Sequence, residues 1–407
     1  MGWQTARELA RRHEVTVLCG DLSPGGFVRR DLDRMKAEPG GNSRLEIHYV
    51  PPDRWTALLH WVHGIPGLWF VYYAAYRRWQ KLAWGVAQKL HAEKPFQVVH
   101  HLNVIGYREP GYLWKLGIPF FWGPIAGAAQ IPWAFLPMMG LRQGWRWGGR
   151  NLLNALQMRW SGRCRAAARK ARRIWAVSAA DQDLAERRWG AAVDPMLETG
   201  TQPEEKPTSR KWNGIEPLQL IWSGAFHGGK ALPILFRALA QVEQEMPDAR
   251  MELTVLGGGS EAGVWKKMPG DLGLGTPVRW EGHVGREQAL GFMRQAHLLV
   301  HTSLKEGTPH VVMEALAMGL PVFCHDACGM GRAVDERCGR KIPLRDVATS
   351  VREFARILAE LWVQPDLLTR LSAGAVQRAQ ELTWENNVRR FERAYEEVVE
   401  PNVRNSG

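Results

Sequence analysis

The sequence predicts an α/β protein made of two doubly wound parallel-sheet domains that face each other across a cleft. Three observations lead there. The chain has 407 residues, more than one ordinary hydrophobic core organises, so two cores are expected. Short β-branched or aromatic runs alternate with amphipathic stretches, the pattern of parallel strands joined by crossover helices. The alternation stops once, between Glu198 and Pro217, where "ETGTQPEEKPTSRKWNGIEP" is rich in Pro, Gly, Thr and charge without an apolar period, and then it restarts. The expected division is residues 1–200, a linker over 201–216, a second α/β unit over 217–380 and a closing helix over 381–400 that returns to the first unit.

In the first unit "MGWQTARELARR" reads as a helix, and the strands follow as "HEVTVLCG" (13–20), "RLEIHYVP" (44–51), "FQVVHHL" (96–102), "IPFFWGP" (118–124) and "RIWAVSA" (173–179). Helices are expected over 162–172 and 181–189. A doubly wound sheet normally begins with a strand that ends near its middle, and nothing ahead of His13 supplies one. The first strand is therefore missing from the pattern. Its neighbours would be left unpaired at a cost, so either the natural chain starts upstream of Met1 or a later strand fills the gap.

The second unit repeats the alternation: "LQLIWSGAF" as a strand, a helix over 230–245, "MELTVLGGG" and "VRWEGHV" as strands, a helix over 286–296, "HLLVHTSL" as a strand, a helix over 308–319 and "LPVFCH" as a strand. The tail, 351–399, is helical by its period, with a break at Pro365.

Hydrophobic residues at 45% and charged ones at 23% describe a globular chain. The net charge of +12 is lopsided: residues 1–210 carry 30 Lys and Arg against 17 Asp and Glu, while the remainder carries 23 against 24. Such asymmetry points the N-terminal half at an anionic partner, with an anionic membrane surface as the expectation. Nucleic acid is not expected, because the tryptophans lie in apolar runs and are not interleaved with a basic stacking surface. Five cysteines in a chain of this length make no disulfide framework or paired zinc pattern, so no metal is expected and a reducing compartment is. With no secretory signal pattern, the expected location is the cytoplasm, peripherally at the inner face of the cell membrane. The run "GIPGLWFVYYAAY" (64–76) is too short to cross a bilayer. Its setting of Trp55, Trp61, Trp69, Trp79 and Trp84 with Arg77 and Arg78 fits either an interfacial segment or a buried helix beside an acceptor pocket.

The chemistry concentrates in "KEGTPHVVMEALAMGLPV" (305–322). Thr308 is a good N-cap and Pro309 a good first helical residue, which would leave the N–H groups of His310, Val311 and Val312 pointing back towards Gly307. A helix start carries roughly +0.5 of a charge and welcomes phosphate or a sugar oxygen. Gly307 has no side chain to keep a ligand away. Glu306 precedes the cap, and Glu314 lies about six residues along the helix, roughly 9 Å at ~1.5 Å per residue. Two acids so placed could hold two diols with a diphosphate between them, as a nucleotide sugar presents.

The run "TSLKEGTPHVVMEALAMGLPVFCHD" (302–326) resembles the signature of family 4 retaining glycosyltransferases, a GT-B fold, in its small polar turn, Glu-Gly, apolar helix with a second Glu, and Ala-x-Gly-x-Pro-Val. The likeness runs from about Leu218 to Pro343, and "TWENNVRRFERAYEEVV" (383–399) is similar to the family's closing helix. The resemblance implies that Glu306 meets donor sugar hydroxyls and Glu314 the ribose. It also implies that Lys230, in "WSGAFHGGKAL" (222–232), sits on the diphosphate, although Ala225 stands where the family keeps an Arg. His227 or an Arg from elsewhere is the expected substitute. Glu306 and Lys230 are thus the catalytic candidates. Glu314, Gly307, Thr308, Pro309, His310, Val311, His283, Val284, Gly257 and Gly224 are the donor-binding ones. "VVHHLN" and "YREPGYLWKLGIPFFWGPIAG" (98–127) resemble one bacterial branch of the family. That makes His100 and His101 candidates for the acceptor side, where Gly2 is also placed, with Arg108 and Lys115 as further candidates. "DLD" (31–33) mimics a metal signature of another fold but sits in a polar helix.

The implied function is transfer of a hexose from a UDP- or GDP-sugar to a hydroxyl of a glycan or lipid-linked acceptor, without a metal or cofactor, in bacterial cell-surface polysaccharide synthesis. Two rivals stand beside it: a sugar-nucleotide epimerase of the same fold, and a non-catalytic nucleotide-sugar-binding partner protein.

Overall fold

The computed structural model describes residues 2–37, 43–65, 67, 68, 70–102, 106–205, 207 and 210–404. Trp69 and Asn103 of the motifs above lie outside these residues. Three parallel sheets are present. β1 (Val15–Cys19) pairs only with β2 (Leu45–Tyr49), Val15 opposite Leu45. β3 (Val99–His101), β4 (Phe120–Ile125), β5 (Ala171–Ala176) and β6 (Val193–Pro195) form a second sheet in sequence order. β7 (Leu218–Ser223), β8 (Met251–Leu256), β9 (Val278–Gly282), β10 (Leu298–His301), β11 (Val322–His325) and β12 (Gly339–Ile342) form the third, in the order β12-β11-β10-β7-β8-β9. β4, β10 and β11 are buried at every position, as apolar runs without alternation require when both faces of a parallel sheet are covered.

In the third sheet the chain runs outward one way from β7 through β9 and the other way from β10 through β12. The loops after β7 and β10 therefore diverge, and a crevice opens at their carboxyl ends. The N-terminal half departs from the expected single doubly wound sheet. Among the described residues no strand joins β1–β2 to β3–β6, and none of them fills the gap. β1 and β2 instead pack on the Val71–Glu93 helix, where Val50, Tyr76, Trp79 and Ala83 form a cluster and Trp79 Nε1 donates to the Val50 carbonyl at 2.9 Å. Only the end of the apolar run 64–76 enters this core: Ala75 and Tyr76 are buried, as is Trp79 just beyond it. Ile65 and Phe70 remain exposed.

The Gly2–Leu9 helix packs on the closing Trp384–Arg404 helix, and Arg12 grips Glu392 with both Nε (2.8 Å) and Nη2 (2.7 Å). Farther along, Phe391 and Ala394 of the closing helix bury against Phe121 and Trp175 of the second sheet, with the Phe391 and Trp175 rings edge to face at 4.6 Å. The stretch that reads as a linker is anchored near its end. Arg210 and Trp212 are buried, and Trp212 packs on Trp362 at 4.9 Å. Two helix starts move from their expected places. Lys230 ends a 3-10 turn, Gly228–Lys230, and the helix begins at Leu232. Thr308 is not a cap: Pro309 occupies that position without a side-chain bond, and the helix is His310–Ala317.

Gly257 shows how tightly the strand ends meet. Its φ is +120°, and a Cβ there would sit 2.0 Å from the Gly224 carbonyl oxygen, whereas Gly291, in the Arg286–Gln295 helix, has open space around it. Gly257→Ala should cost at least ~2 kcal/mol from backbone strain, seen as a lower thermal midpoint. Gly291→Ala should raise that midpoint, by up to ~1 kcal/mol of stability.

Candidate active site

Three backbone loops converge at the carboxyl ends of β7, β8 and β9. Gly224 N donates to the Leu256 carbonyl at 3.1 Å, Gly257 N to that of Gly282 at 2.7 Å, and Phe226 N to that of Gly258 at 2.7 Å. His283 lies against Gly258, and Val284 packs on the neighbouring core. The loop after β10 is laced to the same turn. Trp222 Nε1 donates to Thr302 Oγ1 at 2.9 Å, Thr302 Oγ1 donates to the Lys230 carbonyl at 2.8 Å, and Leu304 N donates to the Gly229 carbonyl at 2.9 Å.

These ties bring the Lys230 ammonium into contact with the Glu306 carboxylate, both side chains 17% exposed. Burial alone would raise the Glu306 carboxyl, but His301 and Lys230 outweigh it and hold the group at about 2. His301 Nε2 stands 3.6 Å from Glu306, too far for a hydrogen bond. His301 is itself buried, which pushes its pKa down, against the pull of Glu306. We take the imidazole as neutral, so that Lys230 is the cation that keeps Glu306 ionised.

Thr308 turns away from its expected role. Its N–H and hydroxyl both go to the Glu198 carboxylate, each at 2.5 Å. Val312 N donates to the Pro309 carbonyl at 3.1 Å, so the helix start offers the N–H groups of His310 and Val311 and not that of Val312. Gly307 is fixed from behind, its carbonyl accepting from Gly329 N at 2.9 Å. Glu314 pairs with Arg286 at 3.0 Å, on the same helix as the first acid's loop but with a partner whose side chain is largely exposed.

Of the two acceptor-side histidines, His100 has neither ring nitrogen free. Hydrogen bonds to Tyr395 Oη (2.6 Å) and the Gly123 carbonyl (2.8 Å) occupy both ring nitrogens of His100, inside a cage of Phe121, Trp175 and Phe391. Burial pushes its pKa down to about 3 and that of His101 down to about 4. Both rings are neutral and enclosed. Gly2 opens the first helix, and no contact among the described residues brings it to Lys230 or Glu306.

What the sequence reading missed lies on the other wall. Met139 abuts Gly228, and Trp147 abuts Gly229 and stacks near His227 at 6.5 Å, so the Gly140–Arg159 helix faces the Lys230 turn. One turn on from Trp147, Arg150 lies near Arg108, whose guanidinium is held by the amide oxygens of Asn154 and Gln157. Lys305 comes in from the opposite loop. Burial first, then Arg150 and Arg108, push its pKa down to about 8. Among the described residues none of these three cations has an ion pair. Glu198 and His301 carried no sequence signal, since each meets its partner only through the fold.

Residues 217–360 match the family model for Glycosyl transferases group 1. The D-inositol 3-phosphate glycosyltransferase of Streptomyces coelicolor is 33% identical over 174 residues, 41% of this chain and 37% of that protein. Its counterpart in Thermobispora bispora is 31% identical over 208 residues, 49% of this chain and 48% of that one. The chain thus spans less than half the length of these curated relatives. Among solved structures, sucrose-phosphate synthase from Thermosynechococcus elongatus aligns over 97% of this chain and 92% of its own with a TM-score of 0.61 at 16% identity. A lipopolysaccharide outer core galactosyltransferase aligns over 93% and 98% with 0.57 at 15%. An Anabaena protein solved in complex with UDP aligns over 97% and 95% with 0.58 at 14%. The shared architecture is GT-B.

Lys305 gives a direct check on the cleft. A lysine that loses its proton near pH 8 is acylated at mildly alkaline pH while ordinary lysines, near ~10.4, are still protected. Pulse acetylation read by mass spectrometry should give Lys305 a midpoint near 8, and Arg150→Ala should move that midpoint upward because one repelling charge is gone.

Proposed function

We propose that this chain, whose residues 217–360 form a Glycosyl transferases group 1 domain on a GT-B fold, is a retaining hexosyltransferase. It would move a sugar from a UDP- or GDP-sugar to a hydroxyl of a glycan or lipid-linked acceptor, in bacterial cell-surface polysaccharide synthesis. The observation that carries this reading is the Lys230–Glu306 pair, held at the point where the strand order reverses and next to the start of the His310–Ala317 helix.

The donor diphosphate would lie between Lys230 and the N–H groups of His310 and Val311, and would compete with Glu306 for the ammonium. Glu306, released towards the sugar, would accept from its hydroxyls. Glu314 would take the ribose in exchange for Arg286, an exposed pair worth only ~0–1 kcal/mol and therefore cheaply broken. Attack would come from the same face as departure, with no covalent intermediate and no metal, the leaving charge being offset by Lys230 and the helix start. On the acceptor side Arg108, Arg150 and Lys305 favour an anionic acceptor, and the curated relatives are named for a phosphorylated one. The basic N-terminal half would rest on the anionic inner face of the cell membrane.

Ala225 favours a second reading, a nucleotide-sugar-binding partner without turnover, because one cation at the diphosphate is absent. Calorimetric titration with UDP and GDP, followed by assays of donor hydrolysis and transfer with and without chelator, separates the two. Binding with turnover that survives chelation supports the transferase, binding without turnover supports the partner protein, and absence of both sinks the assignment. Lys230→Ala should lower turnover about 100-fold or more. Glu306→Ala should do the same while nucleotide binding is largely kept.

A further inference from the structure

The Gly140–Arg159 helix is packed inside out. Its inward side carries amides: Asn151 and Asn154 are buried, Asn151 Nδ2 donates to the Ile131 carbonyl at 2.7 Å, and Asn154 Nδ2 donates to that of Ala128 at 3.1 Å. Asn154 Oδ1 accepts from Tyr107 Oη at 2.9 Å. Its outward side carries Leu141, 85% exposed, and Trp145, 81% exposed, then Leu152 and Leu156, with Trp160 just beyond its end. At about 100° per residue the four helical positions fall within roughly 60° of one another, so they make one stripe. A contiguous apolar stripe left in water on a helix whose polar side is buried marks a surface made to be covered.

The charges around the stripe say by what. The helix holds four arginines, Arg142, Arg146, Arg150 and Arg159, and no acidic residue. None of the four has an ion pair among the described residues. Two such faces meeting about a two-fold axis would bring arginines onto arginines, which disfavours a second copy of this chain. An anionic lipid surface meets both demands, apolar side chains entering the acyl boundary while arginines reach phosphates. The same helix presses Trp147 and the preceding Met139 onto the Gly228–Gly229 turn beside Lys230, so a surface bound here lies next to the cleft.

We propose that the Gly140–Arg159 helix is an in-plane membrane anchor, with Leu141, Trp145, Leu152 and Leu156 in the boundary of an anionic bilayer and Arg142 and Arg159 on its phosphates. The inference rests on the membrane contact of the proposed function and locates it; it needs no turnover to be true.

Co-sedimentation of the full chain with phosphatidylglycerol–phosphatidylcholine vesicles tests it, beside calorimetric UDP titration as a check of the folded cleft. The chain should bind these vesicles and bind pure phosphatidylcholine far less. Trp145→Ser with Leu152→Ser should lower partition about tenfold or more, Arg142→Gln and Arg159→Gln about fivefold each, all with the UDP response of the parent. Undiminished vesicle binding by the Trp145→Ser, Leu152→Ser variant would overturn the location while leaving membrane association standing. No vesicle binding by the parent would overturn both. Self-association in light scattering that the same double variant abolishes would assign the stripe to a second copy and overturn the proposal. None of these outcomes depends on whether sugar is transferred.

Discussion

The site is organised around one largely enclosed ion pair. Lys230 leaves the loop after β7, Glu306 the loop after β10, and the two charges meet where those loops diverge. Neither could be buried alone: an unpaired charge there would cost several kcal/mol, and removing one partner from a buried pair typically costs ~3–5 kcal/mol. The pair is positioned by uncharged links, Trp222 to Thr302 to the Lys230 carbonyl, and Leu304 to Gly229. These fix the loops before the charges are counted. Because burial and pairing act oppositely on Glu306 and pairing wins, its carboxylate is held at about 2. The pair's contribution is present above the usual carboxylate range and is lost only as pH falls through that value. Any ligand that binds here must therefore replace what each partner gives the other, as a diphosphate and a sugar hydroxyl would in the proposed reaction.

This contrast in cost separates the two glutamates. Glu314 and Arg286 meet at 3.0 Å with side chains 29% and 66% exposed, so water already screens them and a ligand displaces the arginine for little. Glu306 is committed and Glu314 is available. The two acids of one motif thus differ in kind, and the difference comes from where β7 sends its lysine, not from the motif itself.

Much of this was legible. The apolar runs of β7, β8, β10 and β11, the glycines at the strand ends and the Glu-Gly before an apolar helix are local patterns, and local patterns survive without knowledge of the partner. Long-range partners do not. Thr308 followed by Pro309 satisfies the rules for a helix cap, yet Glu198, 110 positions earlier, takes both its N–H and its hydroxyl, and the cap passes to Pro309. His100, an acceptor-side candidate by resemblance, is closed over by Tyr395 and Phe391 from the far end of the chain. Trp79 stands beside a run that reads equally as interfacial or buried, and the Val50 carbonyl is what ties it inside.

The inside-out helix exposes a deeper limit. Periodicity establishes that a helix has an apolar side, and the default is to turn that side inward. Here Asn151 and Asn154, three residues apart, make a second stripe whose amides match free carbonyls at Ala128 and Ile131. Each amide N–H met in this way nets ~0.5–1.5 kcal/mol, whereas leaving those carbonyls unmet beneath a leucine face would cost ~1–3 kcal/mol apiece. The Ala128 and Ile131 carbonyls of the irregular segment before the helix favour the amide stripe facing in. The apolar stripe is then left outside by default, and its excess of arginine is the feature that makes the exposed side a surface in its own right. Function at this wall follows from what the neighbouring loop could not satisfy for itself.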